Sequence, residues 1–139
     1  MATAININRY IRTFVKSDEE LLKMCPLENI KPLVLPPNQF PFVSYIHGDI
    51  TPEYTKDGCA ADDVDVFFAV VSDEYEETID IASELRRLLE SKTYQDDDVY
   101  IPRITVKSIS EDYIDNAFIQ MIVFNMQVVS KAYKLNLYI

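Results

Sequence analysis

The sequence predicts an α+β fold: an antiparallel or mixed sheet of about four to five strands, with helices packed on one face. Three observations point there. Residues 62–71 and 117–129 alternate apolar side chains with the period of a strand. Residues 73–91 carry them at the three- and four-residue spacing of a helix. That helix lies between strand pairs in the chain, which favours a sheet covered by a helical layer. At 139 residues the chain has the usual size of one compact domain, 1–139, with a C-terminal arm at 130–139.

The elements follow in order. Ile7, Tyr10, Ile11, Phe14 and Val15 make the apolar face of a first helix over 3–16. Ser17 with Glu20 forms a capping-box pattern, so a second short helix starts near Asp18, and Pro26 ends it. The stretch "KPLVLPPNQFP" (31–41) is extended, because four prolines exclude a helix and confine any strand to an edge. "PFVSYIHG" (41–48) reads as a strand. The polar "GDITPEYTKDGCAA" (48–61) reads as a long loop, and "DDVDVFFAVV" (62–71) as the strongest strand, which together make a hairpin with an extended tip.

In the helix 73–91, Tyr75, Ile79, Ala82, Leu85, Leu88 and Leu89 share a stripe. Ser72 or Asp73 can cap its first amides. Acidic residues crowd its start and Arg86 and Arg87 its end, as the helix dipole favours. Residues 93–98 form a polar turn, 99–109 an edge strand carrying Pro102, and 117–129 a firm strand. The tail "KAYKLNLYI" is a last strand or a docking arm.

Charge is uneven. Residues 51–100 hold four Lys/Arg against fifteen Asp/Glu, whereas 1–50 hold five of each and 101–139 four against three. The net charge of −10 therefore comes from the middle third. Binding nucleic acid through its phosphates needs a basic patch, and the sequence has none. Only Gly48 and Gly58 are glycines, which excludes phosphate-cradling loops. No apolar run reaches the roughly 20 residues of a membrane-spanning helix, and "MATAININRY" carries no signal-peptide pattern. Cys25 and Cys59 are read as reduced cytosolic thiols.

Chemical sites are scarce. His47 is the sole histidine, stands in no catalytic motif and reads as a turn or interface residue. Asp62, Asp63 and Asp65 have the oxygen ligands that Mg²⁺ or Ca²⁺ takes. Strand alternation puts Asp62 and Asp65 on opposite faces, however, and no calcium-loop spacing surrounds them. A metal-dependent hydrolase built on these three aspartates is the enzymatic alternative. The expectation is no enzyme, no metal and no cofactor. The residues assigned to partner or subunit contacts are Asp49, Tyr54, Lys56, Asp57, Asp62, Asp63, Glu74, Glu77, Tyr133 and Tyr138. They lie in the polar loop, the acidic strand and helix starts, and the arm. Tyr54 is singled out because an aromatic in a polar loop has no core to join.

An ordered pattern runs through the chain: Pro41-Phe42-Val43, Lys56-Asp57-Gly58, Val64-Asp65-Val66, and Ser72-x-x-Tyr75 before a helix ending in "LRRLLES". It resembles the tail-terminator (tail-completion) family of long-tailed bacteriophages and prophages, of the lambda type, over about residues 1–130. The resemblance implies a structural virion assembly protein. A ring of its own copies, a hexamer, would cap the head-proximal end of a tail tube, stop polymerisation and offer a surface for head–tail joining. The implied partners are the tail tube protein and a head-completion or neck protein, with DNA passing through the lumen unbound. Its place would be the host cytoplasm during assembly and then the tail-neck region of the virion. Another head–tail connector is the alternative within this class.

Overall fold

The computed structural model describes residues 4–33, 39–56, 58–95 and 99–130, with the backbone alone at 55, 58, 59 and 130. Its helices are α1 (Ile7–Lys16), α2 (Glu19–Met24) and α3 (Tyr75–Leu89). Its strands are β1 (Ile30–Pro32), β2 (Phe42–Thr55), β3 (Gly58–Ser72), β4 (Tyr94–Gln95), β5 (Val99–Ile101), β6 (Ile104–Ile114) and β7 (Ala117–Ser130).

The sheet is larger than expected. Seven strands form one mixed, curled half-barrel, where an α+β sheet of about four to five strands was anticipated. The strand order is β1-β2-β3-β7-β5-β4, with β6 also against β7. β1 runs parallel to β2, and the remaining pairs are antiparallel. The main error was residues 48–61. They are no loop: β2 and β3 pair almost to their tips, from Phe42↔Val71 to Thr55↔Gly58. Apolar alternation marks strands that lie on a core, but a ladder needs only backbone N–H and C=O groups. Beyond the helices both faces meet water, so the strand there carries Thr51, Glu53 and Tyr54, all exposed. β2 absorbs two register shifts, between His47 and Ile50 and between Glu53 and Tyr54. Gly48 sits at the first, where an added Cβ would stand 2.9 Å from the Phe67 ring.

Smaller corrections follow the same logic. The edge strand 99–109 breaks at Pro102 into β5 and β6, and β6 runs on to Ile114. Tyr94 and Gln95, read as part of a turn, pair with β5 as β4, while 96–98 lie outside the described residues. The α2 cap is Asp18 rather than Ser17: the Asp18 carboxylate accepts from Glu20 N–H at 3.2 Å, and Ser17 Oγ donates back to Phe14 O. Before α3, Ser72 Oγ accepts from Glu74 N–H at 3.1 Å and donates to Glu77 Oε1 at 2.6 Å. The β6–β7 hairpin turns at Asp115 and Asn116, with φ of 52° and 65°. That left-handed pair is what a two-residue type I′ turn requires, and Asn is among the residues that tolerate it best.

The core lies between the sheet and the helices. Even-numbered residues of β3 and β7 point into it: Val64, Val66, Phe68 and Val70, with Ile122, Phe124, Met126 and Val128, all buried. Helices α1 and α3 cover them with Ile7, Ile11 and Val15, and with Ile81, Leu85 and Leu89. The α3 stripe is rotated from the expected one. Thr78 and Ile81 are fully buried, whereas Tyr75 is exposed and Ile79 half-buried. Phe68 stands at the centre, 5.6 Å from the Tyr45 ring and edge-on to Phe124 at 5.5 Å. Replacing Phe68 by Ala is expected to lower unfolding free energy by about 3–5 kcal/mol, through lost transfer energy and the cavity left behind. Urea melts followed by circular dichroism would measure it, and a loss below about 1 kcal/mol would contradict this packing.

Candidate functional site

Odd-numbered residues of β3 and β7 form the opposite face of the sheet, which no helix covers among the described residues. This face is graded along the strands. At one end Phe42, Val71 and Ala117 form a small buried cluster with Ala69 and Ile119 against it. In the middle, Ile46, Phe67 and Met121 stand 45%, 42% and 43% exposed. With Ser44, Ala69 and Val123 they line a shallow, almost purely apolar groove of about 150 Å³.

The far end is polar and tightly organised. Asp63, Asp65, Asn125 and Gln127 sit in register across β3 and β7. Asn125 Nδ2 donates to both carboxylates, at 2.7 Å to Asp63 and 3.0 Å to Asp65. Lys107 Nζ reaches Asp65 Oδ2 at 2.7 Å. Gln127 Nε2 donates to Glu53 Oε2 on β2 at 3.2 Å. The Lys107 hydrogen bond, helped by Asn125, holds the Asp65 carboxyl below the usual aspartate range. The same bond raises the Lys107 ammonium.

The three aspartates of the hydrolase alternative do not converge. Asp62 points to the helix side, where its carboxylate accepts from Ala4 N–H at 3.2 Å. Asp63 and Asp65 point the other way and are occupied by Asn125 and Lys107. Among the described residues no three His, Cys, Asp or Glu side chains cluster as a metal site. His47 Nδ1 lies 2.7 Å from Gly48 O, a bond internal to the strand. Cys25 is a buried free thiol whose pKa burial pushes up to about 12, which leaves little thiolate for chemistry near neutral pH.

The residues assigned from sequence to contacts do not form one surface. Asp49, Tyr54 and Lys56 are exposed along the outer half of β2 and its turn. Asp62 and Asp63 are half-buried on opposite faces of β3. Glu74 and Glu77 lie at the start of α3, beyond the other end of that strand. Asp57, Tyr133 and Tyr138 lie outside the described residues. The apolar belt Ile46–Phe67–Met121 went unassigned, although the sequence carries its signal. "VFFAVV" and "MIVF" are continuous apolar runs, and a strand with one solvated face alternates instead. Asn125 and Lys107 have no sequence signal; only the register brings them to Asp65.

Lys107→Ala is expected to lower Tm at neutral pH and to have little effect in strong acid. The pair holds Asp65 below its unfolded value, so its stabilisation is present above that value and fades as pH falls through the folded one. Melts of both proteins from pH 7 to pH 2 check this; a Tm gap that stays constant on acidification contradicts it.

No protein-family model matches the sequence, and no curated protein does. Among solved structures, the fold is similar to that of a chain in the virion of a native gene transfer agent particle. The TM-score is 0.72 at 13% identity, over 86% of this chain and 91% of that one.

Proposed function

We propose that this protein is a structural virion assembly subunit of the tail-terminator type. It forms a ring of its own copies, a hexamer, at the head-proximal end of a phage tail tube. The ring ends tube polymerisation and offers a surface to a head-completion or neck protein. The observation that carries this reading is the likeness, over most of both chains, to the fold of a virion chain.

Two features of the molecule support it. The sheet carries apolar residues on both faces, and among the described residues the helices cover only one. An exposed belt of Ile46, Phe67 and Met121 on an otherwise acidic subunit is the kind of surface that assembly buries. Asp62, Asp63 and Asp65 are held in structural hydrogen bonds, Asp62 on one face of β3 and the other two on the opposite face, an arrangement for shape rather than turnover. The surplus of negative charge suits a ring whose channel passes DNA without holding it, since like charges repel in a narrow lumen.

Electron microscopy of the purified protein is expected to show rings, and light scattering a mass that rises with concentration. Phe67→Glu combined with Met121→Lys is expected to abolish the rings while far-ultraviolet circular dichroism stays unchanged, because both side chains are already partly in water. Assembled protein is expected to bind isolated tail tubes. Binding to portal or head protein instead would reassign it to the connectors, and a wild-type chain that stays monomeric would overturn the ring altogether.

A further inference from the structure

Among the described residues, β6 is paired with a strand along one side only. β7 lies against it from Ile104↔Met126 to Ile114↔Ala117. On its other edge, Ile104 O accepts from Ser91 N–H, and past that point no strand meets it among the described residues. The Tyr113 N–H finds only the neighbouring Asp112 carboxylate, at 2.8 Å. Tyr75, the first residue of α3, meets this outer stretch of β6, where its OH donates to Glu111 Oε2 at 2.6 Å. On the helix side Ile109 and Tyr113 are 47% and 55% exposed with Glu111 between them, and the Tyr113 ring packs on Phe118, which packs on Tyr75. Ser108, Ser110 and Asp112 lie on the other side. A long open edge with exposed apolar side chains is a template for another strand.

The sequence offers a candidate segment. Residues 131–139 lie outside the described residues, and their sequence, "KAYKLNLYI", alternates apolar and polar side chains only in part, over Tyr133, Lys134, Leu135, Asn136 and Leu137. Tyr133, Leu135, Leu137 and Ile139 fall on one side, and Ala132, Lys134, Asn136 and Tyr138 on the other. Lys131 and Lys134 make it a basic segment of an acidic chain, and Asp112 and Asp115 stand exposed at the open edge and its turn.

Reach decides which copy supplies it. Tyr113 stands opposite Phe118, and from Ser130 back to Phe118 β7 measures about 40 Å at roughly 3.4 Å per residue. Residues 131–139 span at most about 30 Å when fully extended. They would also have to reverse direction and pass β5 and β4, which flank the end of β7. The segment therefore falls short of the Tyr113 end, opposite Phe118, and cannot lie along the whole Ile109–Tyr113 edge of its own subunit. We propose that residues 131–139 of one copy add as a strand to the free β6 edge of a neighbouring copy. This contact rests on the ring reading and specifies how adjacent subunits are tied.

Light scattering over a concentration series tests it on the full chain and two paired variants. Leu135→Lys with Leu137→Lys changes the segment; Ile109→Lys with Tyr113→Lys changes the edge. Each pair raises the concentration for half-assembly at least about tenfold. All four together do no more than either pair alone, because both remove the same contact. A labelled peptide of residues 131–139 binds the segment variant, whose edges stand open, which gives a readout independent of how the edge variant folds. Rings that ignore the segment pair, effects of the two pairs that multiply, or a peptide that does not bind overturn the contact and leave the ring standing. A wild-type chain that stays monomeric overturns both.

Discussion

Everything in this subunit hangs on the pairing of β3 with β7. The two strands lie side by side from Asp62↔Val128 to Ser72↔Phe118. β2 extends the sheet from one side of that pair, and β5 and β6 from the other. Because side chains alternate, one register fixes two surfaces at once. The even set places Phe68 between Tyr45 and Phe124 and gives the helices something to cover. The odd set places Phe67 beside Met121 and Val123, and Asp65 beside Asn125. A slip of one residue would exchange the sets and put Asp63 and Asp65 under α3.

That two-sidedness is costly for a lone subunit. Burying a large apolar side chain is worth about 1.5–3 kcal/mol, so leaving Ile46, Phe67 and Met121 half in water forgoes several such increments. The chain does not use the area for a pocket. The groove there is shallow and lined almost wholly by apolar atoms, and it adjoins the Asp63–Asn125–Asp65–Lys107 network at Phe67 and Val123. A broad apolar strip beside a rigid polar one suits contact with another protein surface. The apolar part supplies area, and the fixed charges select the partner and its orientation.

What the sequence made legible follows the same division. Elements packed against the core could be read, because burial imposes a period. α1, α3, the inner half of β3 and β7 all appear in the spacing of their apolar residues. The outer half of β2 could not be read, because nothing buries Thr51, Glu53 or Tyr54, and backbone pairing leaves no mark on side-chain type. The short β1 and β4 were hidden for a related reason: each is defined by a neighbour distant in sequence, Ile30 by Val43 and Tyr94 by Ile101. The β6–β7 turn was legible and overlooked, since Asp115-Asn116 supplies residues that accept positive φ. The outer-face belt was likewise present in "VFFAVV", but attention to one alternating set concealed the other. The carboxylates were half-read. The opposition of Asp62 and Asp65 came from alternation, whereas the bridge through Asn125 needed the register.

The edges complete the physical picture. Soluble sheets protect their edges with short strands, prolines, charges or covering elements. This sheet does so at one end, where β1 is three residues long and β2 carries Pro52 with Asp49 and Glu53. At the other end the defence stops partway. Lys107 is drawn across β7 to Asp65, and the Glu111 carboxylate is turned inward to Tyr75 and Gln120. Both charges are thereby spent within the subunit instead of guarding the edge, and Ile109 and Tyr113 stand beside them in water. With Lys107 and Glu111 engaged by the subunit's own hydrogen bonds, this edge keeps Ile109 and Tyr113 in water, the kind of open edge that another strand can pair.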